Sequence, residues 1–391
     1  MRLRKLLAAA LSIFAAIAFA QPAAADAIRD REYWLADYGF TKAWKITKGA
    51  GVKVAVIDTG IDQHPDLVGA VTAGVDVSGL GAANGQTPVG DNSFHGTLVA
   101  SLLAGRGHDK NSGVIGTAPE ATLLSASMAF GAGAPDTDEQ VAKAIRWSVD
   151  QGATVINLSL TRNSADWPIS WDQAFQYAFD HDVVVVAAAG NRASGTEQVG
   201  APATIPGVLV VAGVDRNANA STQASTEGLT IAVSAPATDL VGAYPGGDYK
   251  IWSGTSGAAP LVSGLVALVR AEYPQLDANN VINRVIKTAT KIDGQDYSNQ
   301  YGFGLIDPVA ALTANVPNVS QNPLGSLAEW IELYRAEAEV AAPAELSAGE
   351  GQIVASDPGG IDSTQWVPIA VYSVFGTLVL ISVFRRLRRN K

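Results

Sequence analysis

The sequence predicts an α/β layered domain built on a parallel sheet. From about residue 50 to 312, short apolar runs rich in β-branched residues alternate with stretches of helical period. The runs lack the polar alternation of a half-exposed strand, so each reads as a strand buried on both faces. In chain order the strands are 52–57, 121–128, 153–158, 183–189 and 208–212. The helices are about 95–105, then 137–150 with Val141, Ala144, Ile145 and Val149 at helical spacing, then 171–180 and 256–272. In such sheets functional groups collect where strands end at their carboxyl edge and helices begin.

Four segments stand at such places. The first strand ends Ile57-Asp58-Thr59-Gly60, placing a carboxylate at the strand's carboxyl end. In His95-Gly96-Thr97 a histidine opens an apolar helix, and a later strand ends Ala188-Ala189-Gly190-Asn191, projecting an amide from the sheet edge. Gly254-Thr255-Ser256-Gly257-Ala258-Ala259-Pro260 sets a serine at a glycine-lined turn before a long apolar helix. Taken singly, Asp58 reads as a turn or cap residue, Asn191 as a turn, Ser256 as an N-cap and His95 as a satisfied histidine. Taken together, in this order and with this glycine spacing, they carry a chemistry. A serine hydroxyl needs a base within reach, imidazole titrates near neutral pH, a carboxylate fixes the imidazole tautomer, and an oxyanion needs preorganised N–H donors.

These segments resemble the motifs of the subtilisin-type serine proteases, the subtilases. Asp58 sits in Val56-Ile57-Asp58-Thr59-Gly60-Ile61, His95 in His95-Gly96-Thr97-Leu98-Val99-Ala100, Asn191 in Ala187-Ala188-Ala189-Gly190-Asn191, and Ser256 in Ser253-Gly254-Thr255-Ser256-Gly257-Ala258-Ala259-Pro260. The order Asp, His, Ser is the one known for subtilisin, and the likeness covers about 50–312. It implies a three-layer subtilisin-like fold with a mostly parallel central sheet and helices on both faces. It also implies a serine endopeptidase in which Ser256 attacks, His95 is the base, Asp58 holds the imidazole, and Asn191 with the Ser256 N–H binds the oxyanion. An extended peptide substrate would pair with one segment containing Gly131 and Gly133 and another formed by Ser159, Leu160 and Thr161, while Ala188, Ala189 and Gly190 line the first specificity pocket. Thr161 stands where the family usually has glycine. His64-Pro65-Asp66-Leu67 matches a segment whose aspartate binds structural calcium in many subtilases, but the loop at 111–113 that would complete the site is short. Calcium is therefore unsupported, and no cofactor is required. Only residues 26–57 lie between the expected signal cleavage and the first catalytic strand, which leaves no room for the usual folding prodomain.

Composition narrows the chemistry independently. The chain of 391 residues has no cysteine, which excludes thiol chemistry and Cys-ligated metal sites, and its four histidines show no short His-x-x-x-His spacing, so a His-based metal site is not expected. Eight of the 27 Lys and Arg lie in 1–5 and 385–391, leaving 26–384 with a net charge of −18. Such a body repels phosphate backbones, and nucleic acid is not an expected partner.

The ends predict the setting. Residues 1–25 combine a basic start, an apolar run and Ala23-Ala24-Ala25, the pattern of a cleaved signal peptide. A short extension, 26–49, precedes the body. Residues 313–365, rich in Ala, Glu, Ser, Pro and Gly, read as a stalk. Within the stalk, Leu327, Trp330, Ile331 and Tyr334 recur at helical spacing, predicting a short amphipathic helix over 326–340 that packs on the body or on a partner. Residues 366–384 carry no charge and are followed by the basic tail 385–391, the pattern of a single transmembrane helix with a cytoplasmic C-terminus and an extracytoplasmic body. This whole arrangement resembles the mycosins, membrane-anchored subtilases associated with type VII secretion. The resemblance implies the membrane and a secretion complex as partners, besides a protein or peptide substrate. Mycosins often carry disulfides, which this chain cannot form.

Overall fold

The computed structural model describes residues 27–335, apart from 110 and 293, and the short segment 353–355. The predicted signal peptide, the apolar run 366–384 and the basic tail lie outside the described residues. Strands β1 (Lys53–Asp58), β2 (Val71–Asp76), β3 (Thr122–Ser127), β4 (Val155–Leu158), β6 (Val184–Ala188), β7 (Leu209–Val214) and β8 (Ile231–Pro236) form one sheet. Its order is β2-β3-β1-β4-β6-β7-β8, parallel at every pairing. The chain winds from β1 to β2 and β3 on one side, then returns to β4 on the other. The carboxyl ends of β1 and β4 therefore flank a topological switch point, where open α/β sheets place their sites. Outside this sheet, β9 (Leu240–Tyr244) and β10 (Asp248–Trp252) form an antiparallel hairpin, and β5 (Leu160–Arg162) pairs with β11 (Ile353–Ala355).

Successive strand residues point to opposite faces, so each face acquires its own core. On one face Val54, Val56, Val184, Val186, Ala188 and Val211 pack with α3 (His95–Ala104), α6 (Thr255–Glu272) and α7 (Ala278–Lys287). On the other, Ala55, Ile57, Ile156, Leu158, Val185 and Ala187 pack with α4 (Thr137–Asp150) and α5 (Ile169–Asp180). This is the three-layer arrangement expected from the sequence. Every residue of α6 from Thr255 to Arg270 is buried. A helix apolar all round belongs inside a fold, and α6 runs along the sheet beneath the site.

The extension before the body is part of its packing. Two short helices, α1 (Tyr33–Asp37) and α2 (Phe40–Ala43), bury Trp34, Phe40 and Ala43 completely in the core shared with α3 and α6. The Tyr33 hydroxyl donates to Thr238 O at 2.8 Å, and Glu32 accepts from the Ile115 N–H at 2.8 Å. Phe40→Ala is expected to destabilise the fold by about 3–5 kcal/mol, read as a lower urea midpoint with an unchanged slope.

The first part of the predicted stalk also packs on the body. Beyond α8 (Pro308–Thr313), Asn280 exchanges two hydrogen bonds with the Val319 backbone, at 2.8 and 3.1 Å, and Asn283 donates to Pro317 O at 3.0 Å. Helix α9 (Leu327–Tyr334), capped by the Ser326 hydroxyl, sets the Trp330 ring 4.4 Å from that of Trp167. Arg335 then closes on Asp172 at 2.9 Å. The sequence left open whether this helix packs on the body or on a partner; its Trp330 face packs on the body. Among the described residues no helix is long and apolar enough to cross a membrane.

Candidate active site

Asp58, the last residue of β1, is buried at the carboxyl edge of the sheet. The Thr59 N–H donates to its Oδ1 at 2.7 Å. His95 is the first residue of α3 and fully buried, with Nδ1 2.9 Å from both carboxylate oxygens of Asp58. A helix can bring its first residue this close because of Gly96: a Cβ there would lie 2.3 Å from Gly60 O. The Thr59 hydroxyl locks the approach, accepting from the Gly96 N–H and donating to Ser93 O, both at 2.9 Å. With the Nδ1 proton directed at a carboxylate, Nε2 carries the lone pair and faces away from Asp58. Nε2 is buried and has no hydrogen-bond partner among the described residues.

Ser256 is the second residue of α6, reached through Gly254 at φ 148°. Its hydroxyl donates to Ser159 O at 3.2 Å, and the Ser159 hydroxyl donates back to Ser256 O at 2.9 Å. The second bond has a covalent cause. Pro260, four residues on, has no N–H to offer the Ser256 carbonyl, so the helix leaves that acceptor to Ser159. Pro260 thus lies deeper in the helix than the first-turn position where a missing N–H is harmless, and the Ser159 hydroxyl makes good the loss. Asn157 extends the chain, donating to Ser159 Oγ at 2.9 Å and accepting from Ser263 at 2.8 Å.

Asn191 follows β6. Its Oδ1 accepts from the Thr255 N–H at 2.8 Å and the Thr255 hydroxyl at 2.9 Å, which fixes the amide orientation. Nδ2 must then be the donor end, and it is buried with no hydrogen-bond partner among the described residues. A Cβ on Gly254 would come within 2.9 Å of it. Trp252, the last residue of β10, joins the two halves: its ring meets His95 edge to face at 5.8 Å and lies 3.3 Å from where a Gly257 Cβ would stand. Sequence reasoning missed Trp252, Thr59 and Asn157. For Trp252 the available signal was an aromatic closing a strand-like run four residues before Ser256.

The predicted substrate segments fall on either side of these groups. Gly131 (φ 92°) would set a Cβ 2.0 Å from the Asp91 carboxylate, and Asp91 N–H donates to Phe130 O at 3.0 Å, so 130–133 lies against the loop leading into His95. Gly133 borders open space. Ser159, Leu160 and Thr161 start beside Ser256, and the Thr161 methyl lies 3.6 Å from where a Gly190 Cβ would be. Ala188 and Ala189 are both fully buried and pack into the cores on opposite faces of the sheet, which leaves their backbone, beside Gly190, to border the first pocket. Beyond Asn191, Arg192 pairs with Glu227 at 2.9 Å, and hydrogen bonds from Gln300 and Arg192 hold the Glu227 carboxyl below the usual carboxylate range.

The segment matched to a calcium site is occupied by protein donors. Asp66 is fully buried; His108 Nδ1 lies 2.6 Å from its Oδ1, and the Val114 N–H donates to Oδ2 at 2.7 Å.

Comparison with known proteins places the chain. Residues 49–304 match the Subtilase family, Peptidase_S8. The chain is 37% identical to subtilisin DY of Bacillus licheniformis over 267 residues, covering 68% of this chain and 92% of that protein. Among solved structures it resembles MycP1 from the ESX-1 type VII secretion system, with 30% identity and a TM-score of 0.64, covering 78% of this chain and 91% of that one. It also resembles a chain of the periplasmic assembly from the ESX-5 inner membrane complex, with 29% identity, a TM-score of 0.64, and 80% and 88% coverage.

Proposed function

The chain belongs to the subtilase family and is a subtilisin-like serine protease, and from that premise we propose that it is a membrane-anchored, extracytoplasmic endopeptidase working through Asp58, His95, Asn191 and Ser256. One observation carries the assignment of roles. Three buried polar atoms around this site have no hydrogen-bond partner among the described residues: Trp252 Nε1, which lies 3.1 Å from where a Gly242 Cβ would stand, and two on the reacting groups, His95 Nε2 and Asn191 Nδ2, an acceptor and a donor. The Asp58 carboxylate at Nδ1 and the Thr255 donors at Oδ1 fix which end of each group is left to meet a substrate. In the reaction Nε2 takes the Ser256 hydroxyl proton as Oγ bonds to the scissile carbonyl carbon. The carbonyl oxygen becomes an oxyanion held by Asn191 Nδ2–H and the Ser256 N–H at the start of α6. His95 then returns the proton to the leaving amine, and water repeats the sequence on the acyl-enzyme. At rest the Ser256 hydroxyl donates to Ser159 O, so attack begins with its proton turning to Nε2.

Substrate backbone would pair with Gly131, Gly133 and Ser159–Leu160–Thr161, with Gly190 at the first pocket. No metal or cofactor enters the scheme. Anchoring is read from the sequence: a signal peptide in 1–25, a membrane helix in 366–384 and a cytoplasmic tail in 385–391. Protease added to intact cells should digest the body and spare the tail; protection of the body would contradict this orientation.

Asn191→Ala is expected to lower kcat about 10²–10³-fold with little change in KM, the magnitude known for the corresponding donor in subtilisin. Steady-state kinetics on a peptide amide would read it, and an unchanged kcat would remove Asn191 from the oxyanion site.

A second reading, a component of a type VII secretion complex with proteolysis secondary, is favoured by the likeness to the ESX-5 periplasmic assembly. If it holds, cells carrying Ser256→Ala will still secrete where deletion cells do not. Loss of secretion in both would tie any such role to proteolysis.

A further inference from the structure

We propose that residues 353–355 of this chain occupy the peptide-binding edge of β5, so that a substrate strand enters only by displacing the chain's own stalk; the inference rests on the proteolytic reading above. β5 lies outside the seven-stranded sheet, and among the described residues its strand partner is β11. The pairing is antiparallel, with Ile353 opposite Arg162, Val354 opposite Thr161 and Ala355 opposite Leu160. The stalk strand therefore runs toward Ser159, the residue whose carbonyl and hydroxyl bracket Ser256. The other side of β5 is already closed: the Arg162 N–H donates to Ala201 O at 2.7 Å, and a Cβ on Gly200 would fall 1.8 Å from Arg162 O. β11 holds the side that remains.

The sequence of the stalk explains why this segment pairs. Between 336 and 365, Ile353-Val354 is the only pair of adjacent β-branched residues, set among Ala, Gly, Ser, Pro and acidic residues that favour strands poorly. The tether is short. Arg335, bound to Asp172 and to the carbonyl of Trp167, five residues beyond the end of β5, anchors the chain on the body, and the 17 residues from there to Ile353 reach at most about 60 Å. A segment held so close competes at an effective concentration on the order of 1 mM, which a dilute peptide does not match. The interaction is β-strand addition, the mode by which an extended peptide binds a sheet edge, satisfied here from within the chain.

The test uses the full chain with Ile353→Pro and Val354→Pro made singly. In an antiparallel ladder one of two adjacent N–H groups faces the partner strand, so one of the two prolines removes a ladder bond. The expected result is a KM for a peptide amide lowered about threefold to tenfold in at least one variant. The same variant should keep its kcat and show faster amide exchange at Leu160–Arg162, while Val354→Ile stays as wild type. Wild-type KM and exchange in both proline variants would overturn the proposal. So would a raised KM, which would make the stalk part of the substrate site. Cleavage within 353–360 in the wild type but not in Ser256→Ala would make the segment a substrate and overturn the blocking role. If no variant hydrolyses peptide, the proteolytic reading fails, and the proposal that depends on it falls too. Amide exchange then still reports separately whether β11 pairs with β5.

Discussion

Ser256→Ala is expected to lower kcat for peptide hydrolysis on the order of a million-fold, the magnitude known for the nucleophile of subtilisin itself. The substitution removes one oxygen from a buried site whose neighbours stay in place. Ser256 O keeps its bond from Ser159, and Thr255 keeps its bonds to Asn191. The fold should therefore survive, and circular dichroism and an unchanged urea midpoint would establish that. The residual rate would come from substrate binding and the oxyanion donors alone. Because the groups act as a unit, adding Asp58→Asn to Ser256→Ala should cost almost nothing further.

Asp58→Asn alone is expected to lower kcat about 10⁴-fold at neutral pH. The carboxylate accepts from His95 Nδ1–H with both oxygens and from the Thr59 N–H with one. An amide in that space keeps the Thr59 bond through its oxygen and turns an NH₂ toward Nδ1. Nδ1 must then accept, the proton moves to Nε2, and the imidazole can no longer take the Ser256 proton. KM should change little, since Asp58 does not face the substrate segments. Kinetics on a peptide amide, with stability measured alongside, would check both points. A loss of less than about tenfold would mean that Asp58 does not set the tautomer.

The parts of the fold legible in the sequence are those where one physical requirement dominates. The central strands β1, β3, β4, β6 and β7 are buried on both faces and read as apolar runs; their predicted bounds differ from the observed ones by no more than two residues. The outer strands were missed. β2, Val-Thr-Ala-Gly-Val-Asp, is only partly buried and interrupted by glycine, and β8 ends in Pro236, both marks of a sheet edge. Helix α7 was missed although it carries an Asp277 cap, because no strand follows it to complete a β–α alternation. The four candidate residues Asp58, His95, Asn191 and Ser256 stand out in the sequence because each closes a strand or opens a helix beside glycine.

What surrounds these four residues was not legible, because it depends on contacts between distant parts of the chain. Trp252 reaches His95 only once a hairpin folds over α3. Phe40 looks like a residue of an extension and becomes core only when α8, far along the chain, lies against its helix. Ala188 and Ala189 are neighbours in sequence, and the period of the strand sends their side chains into different cores. The pairing of β11 with β5 spans nearly half the chain, and no local pattern announces it.

The most direct measurement is fluorophosphonate labelling of the chain, with the modified residue located by mass spectrometry and Ser256→Ala as the control. The reagent reports a serine whose base and oxyanion donors are assembled. The site described here predicts one equivalent of label on the peptide containing Ser256 and none in the variant. Folded protein that takes no label, or takes it at another serine, would contradict the assignment of Asp58, His95, Asn191 and Ser256 as a working catalytic site.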